Sequence, residues 1–508
     1  MIEINSNCFK SQPFKHQLEG IKAIVKNKAF ALFDEMGAGK SKQVIDAACI
    51  LAQAGEIDTV VVLAPASVRS VWINYEIGEI KKHSWVCNHV FEYHAKSEIV
   101  WGDLITPGCT GLMWCVTNYE FLRREERLAG LIKILAGRKT MLVLDESSYV
   151  KNRTAQQSKA VYKLRQHCAR CVLLNGTPVT DNPLDLWSQF RILDEKILFT
   201  HYKNFYHFRA HYAVMGGWKM KQVVKWINLE KLSKMLKPWV LRRLKKDCLD
   251  LPEKLFTTRE VPLEPATWAR YRELKKDAVM ALPTGDQLLE PNAAVRVMRL
   301  CQITSGHIGR TYQTLEGRQV LEETVEMIEP LNTTQDLSSE KLDWCIKYLT
   351  HECQAQYVIV WCRWRRERER LFKMLIGPPF YLYQLYGGQP QKEREKAIEY
   401  FSKPLEVDDG KNKSVLIAQP HAGGHGLNLV AATEVIYLSN DWSLGIRLQS
   451  EDRCHRPGQK HPVTYIDVIS TGPKGQKTID WTIYQALSKK QDLARLTAST
   501  WRKELEGA

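Results

Sequence analysis

Long apolar runs are missing from this sequence: nowhere in its 508 residues do about 18 apolar positions follow one another, so no segment reads as a membrane-spanning helix. The opening stretch MIEINSNCFK has no apolar core of the kind a secretion signal needs. Internal repeats, low-complexity tails and heptad runs are also lacking. The thirteen cysteines carry no paired spacing apart from Cys168 and Cys171 in a Cys-Ala-Arg-Cys run, and a zinc site would want a second pair at a matching interval. A secreted disulfide framework would be denser in cysteine over a shorter chain. A soluble, intracellular protein with reduced, mostly buried thiols is expected. Acidic residues are in deficit, 57 Asp and Glu against 72 Lys and Arg, for a net charge of +15. That balance favours a polyanionic partner, because each cation set against a phosphate releases condensed counterion.

The chain is too long for one core, and two domains with insertions are the default expectation. Runs apolar on both faces occur at 29–33, 59–63, 112–116, 141–144 and 171–174, and again at 357–361, 380–385, 415–418, 435–438 and 463–469. Each is followed by a polar loop and then a helical pattern, as parallel sheets covered on both sides require. The α/β architecture predicted is two parallel-sheet lobes, 1–187 and 339–480. Between about 187 and 339 the texture turns helical, with many lysines and aromatics and breaks at Pro262, Pro265, Pro283 and Pro291. It reads as a helical insertion of the first lobe (188–258) and one of the second lobe with a linker (259–338). Residues 481–508 read as a closing helix.

Chemistry starts at Asp34, in DEMGAGKSK. Gly37 and Gly39 let the backbone wrap a triphosphate, and a helix beginning near Lys40 points its amides at it. Lys40 adds charge and Ser41 can ligate magnesium. Asp34 stands where a phosphate loop usually has its first glycine, and a plain glycine-rich turn is the bland alternative. The run 141–144 leads into Asp145 and Glu146. A carboxylate there can hold the magnesium shell (Asp145), and its neighbour can orient or deprotonate the attacking water (Glu146). An exposed acidic turn is the simpler alternative.

From Gln17 almost to the C-terminus these motifs follow the order seen in Swi/Snf-type ATPases, a branch of the superfamily-two helicases, and the chain resembles that family. The resemblance implies two RecA-like lobes that bind ATP with magnesium. PFKHQLEG resembles the adenine-sensing segment, which puts Gln17 near the base. LAPASVRSVW and VTNYEFL resemble segments touching the DNA backbone, implying Ser67, Thr117 and Asn118. DESSYVKN resembles the acidic box, and LNGTPVTDNPLDLW the coupling segment, with Thr177 as its hydroxyl. LRRLKKDCLDLPEK, from Leu241, resembles a signature of this branch, in which the region between the lobes forms protrusions that help grip a duplex.

In HAGGHGLNL, Gly423 and Gly424 allow a close backbone approach. The family's matching loop senses DNA and nucleotide, so Gly423 is assigned to DNA and Gly424 to ATP. Gln419 and Pro420 occupy positions where the family often has hydroxyls, a variant more like phage and prophage members than chromatin remodellers. In QSEDRCHRPGQ, Gln449, Arg453 and Arg456 lie three or four residues apart, on one face of a short helix opening into a loop. Gln449 is assigned to ATP, Arg453 and Arg456 to catalysis. Arg456 is the leading finger because Pro457 restricts it to extended conformations, and a surface cluster with Glu451 and Asp452 is the alternative. The basic run CRWRRERER reads as a charged helix face laced with i,i+4 pairs.

The function implied is a DNA-dependent ATPase that translocates on double-stranded or branched DNA, remodelling junctions or displacing bound proteins. A strand-separating DNA or RNA helicase is the alternative, and an ATPase-dead nucleic-acid clamp a further one. A monomer is expected, without membrane attachment or a separate chromatin-reading or nuclease module. It would work in the cytoplasm of a bacterial or phage-infected cell, or in a nucleus if eukaryotic.

Overall fold

Alternate residues of each central strand enter opposite apolar layers, which is the period-2 consequence of a sheet buried on both faces. The computed structural model describes residues 9–66, 68–75, 78–94, 111–176, 182–216, 222–280, 291–308, 311–313, 319–321, 335–402, 412–421 and 427–489. In the first half, β1 (Ala29–Leu32), β2 (Thr59–Ala64), β3 (Asn88–Glu92), β4 (Leu112–Asn118), β5 (Thr140–Leu144) and β6 (Arg170–Leu174) are all parallel. A short antiparallel hairpin follows, β7 (Ala213–Gly216) with β8 (Gln222–Trp226), and then β9 (Val240–Leu241). The sheet runs β3-β4-β2-β5-β6-β1-β9.

Ala29, Ala31, Val61, Leu63, Leu142, Leu144 and Leu173 fill one layer. Phe30, Leu32, Val60, Val62, Val143 and Val172 fill the other, together with Val44, Ala48 and Leu51 of the helix Lys40–Gln53. Each buried Val, Leu or Phe among them contributes about 1.5–3 kcal/mol. The helices Asp185–Leu193, Phe205–Tyr212 and Leu229–Leu236 send Trp187, Phe190, Phe208, Tyr212, Leu232 and Leu236 into the first of these layers. The stretch read as an insertion is therefore continuous with the first lobe's core.

A second parallel sheet is built from β10 (Lys254–Pro262), β15 (Tyr357–Trp361), β16 (Phe380–Leu385), β17 (Lys413–Ala418), β18 (Glu434–Tyr437) and β19 (Val463–Thr471), in the order β10-β19-β18-β15-β17-β16. Two small antiparallel pairs precede β15, namely β11 (His307–Ile308) with β14 (Gln335–Asp336) and β12 (Thr311–Gln313) with β13 (Gln319–Leu321). Val358, Val360, Val415, Ile417, Ile436 and Val468 line one face, and Ile359, Trp361, Leu416, Val435, Tyr437 and Tyr465 the other. The terminal helix spans residues 479–489 within the described chain, with Ile483 and Leu487 buried.

The sequence reading assigned 187–339 to helices, and the strands β7 to β14 depart from it. β9 adds to the first sheet beside β1, and β10 pairs along its whole length with β19. Two compact units result, divided between Asp250 and Leu251. Among the described residues no helix is long and apolar enough to cross a membrane.

Candidate active site

In a parallel sheet the loops after the strands' carboxyl ends all emerge on one edge, where α/β proteins bind ligands. In the first unit that edge carries the glycine loop after β1, Asp145 and Glu146 after β5, and the segments after β2, β4 and β6. Gly37 and Gly39 take left-handed φ of 79° and 77°, a conformation open to glycine at little cost. A Cβ on Gly39 would also lie 2.3 Å from Gln17 Nε2. Lys40 opens the helix, and its Nζ donates to the Asp34 and Glu35 carbonyls at 2.8 and 3.2 Å. Ser41 follows, partly exposed. Gln17 is buried; its Nε2 donates to the Ala38 carbonyl at 3.3 Å and its Oε1 accepts from Phe14 N at 3.0 Å. The first unit thus gathers Gln17, Gly37, Gly39, Lys40 and Ser41 around one loop.

Asp34 is fully buried, and two nitrogens of Arg243 meet its carboxylate, Nε at 3.0 Å and Nη2 at 2.6 Å. Gln43 Nε2 donates to it as well, at 3.2 Å. Arg243 Nη1 also donates to the His16 carbonyl, so the LRRLKKD segment pins the glycine loop to the helix carrying Gln17. Its neighbour Arg242 is pushed down to about 10 by burial, against the opposing pull of Glu35. Arg243→Ala leaves the Asp34 charge buried without this partner. It is expected to cost about 3–5 kcal/mol, read as the loss of unfolding free energy in urea melts, and Asp34→Asn in the same background should recover part of it.

Asp145 lies just past β5, half-buried. Trp72 Nε1 donates to its Oδ2 at 2.9 Å, Tyr119 OH donates to its carbonyl at 2.7 Å, and its own amide bonds the Leu63 carbonyl at 2.8 Å. Glu146 has φ 54° and ψ 60°, a left-handed backbone that costs a non-glycine residue about 1–3 kcal/mol and clusters at functional positions. Thr117 is enclosed, its hydroxyl donating to the Tyr93 carbonyl at 2.8 Å. As placed it braces a strand end and offers DNA no exposed hydroxyl. Asn118 Oδ1 accepts from Phe121 N at 2.7 Å, closing the turn after β4. Ser67 and Thr177 lie outside the described residues.

The second unit carries the remaining candidates. Gln449 sits half-buried on the helix Leu444–Glu451. That helix is anchored by Arg447, which bonds Glu451 at 2.9 Å and Asp467 at 2.5 Å. Arg453 is buried; Arg456 is half-exposed, its Nη1 donating to the Leu427 carbonyl at 2.5 Å. Glu451 also pairs with Lys254, at 3.2 Å. Gly423 and Gly424 fall outside the described residues. In the basic run after Cys362, Arg366 grips Asp336 through two nitrogens at 2.8 and 2.7 Å, and Arg365 pairs with Glu369 four residues on. These cations are structural partners of nearby carboxylates.

Among the described residues no three His, Cys, Asp or Glu cluster to hold a metal. A magnesium ion held chiefly by substrate phosphates and waters needs only one or two protein oxygens. The Ser41 hydroxyl and the Asp145 carboxylate, on the same sheet edge as the left-handed glycine cradle, fit that demand. Sequence reasoning missed Arg243 as the partner of Asp34, and Trp72 and Tyr119 as donors to Asp145. Trp72 stands inside the LAPASVRSVW motif and Tyr119 inside VTNYEFL, so position in the motifs was the signal available.

The SNF2-related domain model matches residues 16–319, and the helicase conserved C-terminal domain model matches residues 340–458. The chain is 25% identical over 496 residues to the human SWI/SNF-related matrix-associated actin-dependent regulator of chromatin subfamily A member 1, covering 94% of this chain and 43% of that protein. It is 27% identical over 475 residues to the putative ATP-dependent helicase/translocase YwqA of Bacillus subtilis, covering 91% and 46%. It is also similar to the solved Sulfolobus solfataricus SWI2/SNF2 ATPase core in complex with dsDNA, with a TM-score of 0.42 and 21% identity, covering 99% of this chain and 97% of that one. The chain spans less than half the length of these curated relatives.

Proposed function

The chain belongs to the SNF2-related domain family, and from that premise we propose that it is a DNA-dependent ATPase of the Swi/Snf type that translocates on double-stranded or branched DNA. The observation that carries this reading is the gathering of Gln17, the left-handed glycines, Lys40 and Ser41 in one loop, on the same sheet edge as Asp145 and Glu146.

In this reading the helix amides and Lys40 hold the phosphates of ATP, and Gln17 faces the base. Ser41 and Asp145 would hold magnesium, which when bound would supply charge neutralisation on the phosphate oxygens. Glu146 orients the attacking water and accepts its proton on the carboxylate. Arg456 and Arg453 supply guanidinium charge against the γ-phosphate charge that grows in the transition state. Gln449 and Gly424 complete the nucleotide contacts. Asn118, Ser67 and Gly423 follow the DNA backbone, and Thr177 couples the two activities.

The protein works as a monomer. Gln419 and Pro420, placed where the family often has hydroxyls, support a phage or bacterial DNA-metabolism enzyme acting in the cytoplasm. Translocation is tested by release of a triplex-forming strand from duplex DNA. ATP-dependent release, without unwinding of a blunt duplex, is expected; unwinding of blunt, unbranched DNA would favour a strand-separating helicase instead.

A further inference from the structure

Asp145 is held at two of its atoms by side chains that sequence motifs assign to other work. Trp72, 1% exposed, presents its indole N–H to Oδ2 at 2.9 Å. Tyr119, fully buried, presents its hydroxyl to the Asp145 carbonyl at 2.7 Å. The two donors come from the segments after β2 and β4, both read as DNA-backbone segments. An indole N–H is a donor only. The Trp72 N–H can therefore only donate to the carboxylate.

We infer that Trp72 and Tyr119 are positioning residues for the metal carboxylate. Trp72 fixes the rotation of the Asp145 side chain by holding Oδ2. Tyr119 fixes the backbone at the point where β5 ends and Glu146 turns left-handed. Partners of a metal-binding carboxylate that set its orientation typically carry roughly 10–100-fold in metal affinity or activity. The inference rests on the reading of Asp145 as the magnesium residue.

The test compares Trp72→Phe, which keeps an aromatic ring and removes the N–H, with Tyr119→Phe and with Asp145→Asn. Two quantities are read for each: binding of Mn²⁺ to the ADP complex by electron paramagnetic resonance, and ADP affinity in the absence of metal. Trp72→Phe is expected to weaken Mn²⁺ binding about tenfold while metal-free ADP affinity stays unchanged, and Tyr119→Phe to shift it in the same direction. Unaltered Mn²⁺ binding in Trp72→Phe overturns the inference, as does an equal loss of metal-free ADP affinity, which would mark a general disturbance of the loop. If Trp72→Phe fails to fold, Tyr119→Phe decides by the same criteria. Asp145→Asn separates the two levels. If it leaves Mn²⁺ binding intact, the magnesium reading itself falls; if it abolishes binding while Trp72→Phe and Tyr119→Phe do not weaken it, only the positioning role falls.

Discussion

Replacing Lys40 with alanine is expected to reduce ATP turnover by roughly 10³-fold or more, the scale on which preorganised charge acts at a transition state. The ammonium bonds the carbonyls of Asp34 and Glu35 at the lip of the glycine loop, so it sits where a triphosphate entering the loop would meet it. The side chain is only half-buried, and its bonds are to two loop carbonyls. Thermal stability should therefore change little. Steady-state turnover with duplex DNA present checks the rate, and a melting curve checks the fold. Undiminished turnover in a folded variant would refute the phosphate-loop assignment.

The second large effect is expected at Arg456. Its guanidinium is half-exposed and donates through Nη1 to the Leu427 carbonyl. A finger of this kind contributes roughly 10³–10⁵ in rate. Because it acts mainly in the transition state, its removal should stop turnover while sparing the affinity for duplex DNA. Arg456→Lys should not restore the rate, since a point ammonium lacks the bidentate geometry of guanidinium. Turnover and duplex affinity measured on the same preparations distinguish the roles. Parallel loss of both would place Arg456 on the DNA backbone instead.

The central strands were legible in the sequence because a strand buried on both faces must be apolar along nearly all its length, as β1 is throughout and β2, β5 and β6 are after their first residue. The strands that escaped were β3, β9 and β10 at the edges of the two large sheets, and the six short strands of the two-stranded pairs β7 with β8, β11 with β14 and β12 with β13. An edge strand has one neighbour and more solvent, so β10 can carry Lys254, Thr257, Thr258, Arg259 and Glu260 without burying uncompensated charge. β16 is an edge strand too, and it was found only because Phe380, Tyr381, Leu382 and Tyr383 keep it aromatic and apolar. The glycine loop and the acidic pair could be seen because their chemistry is local in sequence.

What holds them was not visible. Asp34 meets Arg243 across 209 positions, and Asp145 meets Trp72 across 73. A pairing of that kind is set by sheet order, and the loops after β1, β2 and β5 reach one edge only once the crossovers are made. Thr117 shows the converse: a motif position read as a DNA contact turns its hydroxyl inward because β4 is buried up to that residue.

The central claim is that nucleotide chemistry at the Lys40 loop answers to DNA. Its most direct test is the rate of ATP hydrolysis by the purified chain, measured without nucleic acid and then with saturating duplex DNA at fixed salt. A slow basal rate that rises sharply with duplex, and does not rise in Lys40→Ala, is the expected result. A rate that duplex DNA leaves unchanged, or hydrolysis that persists in Lys40→Ala, would contradict it.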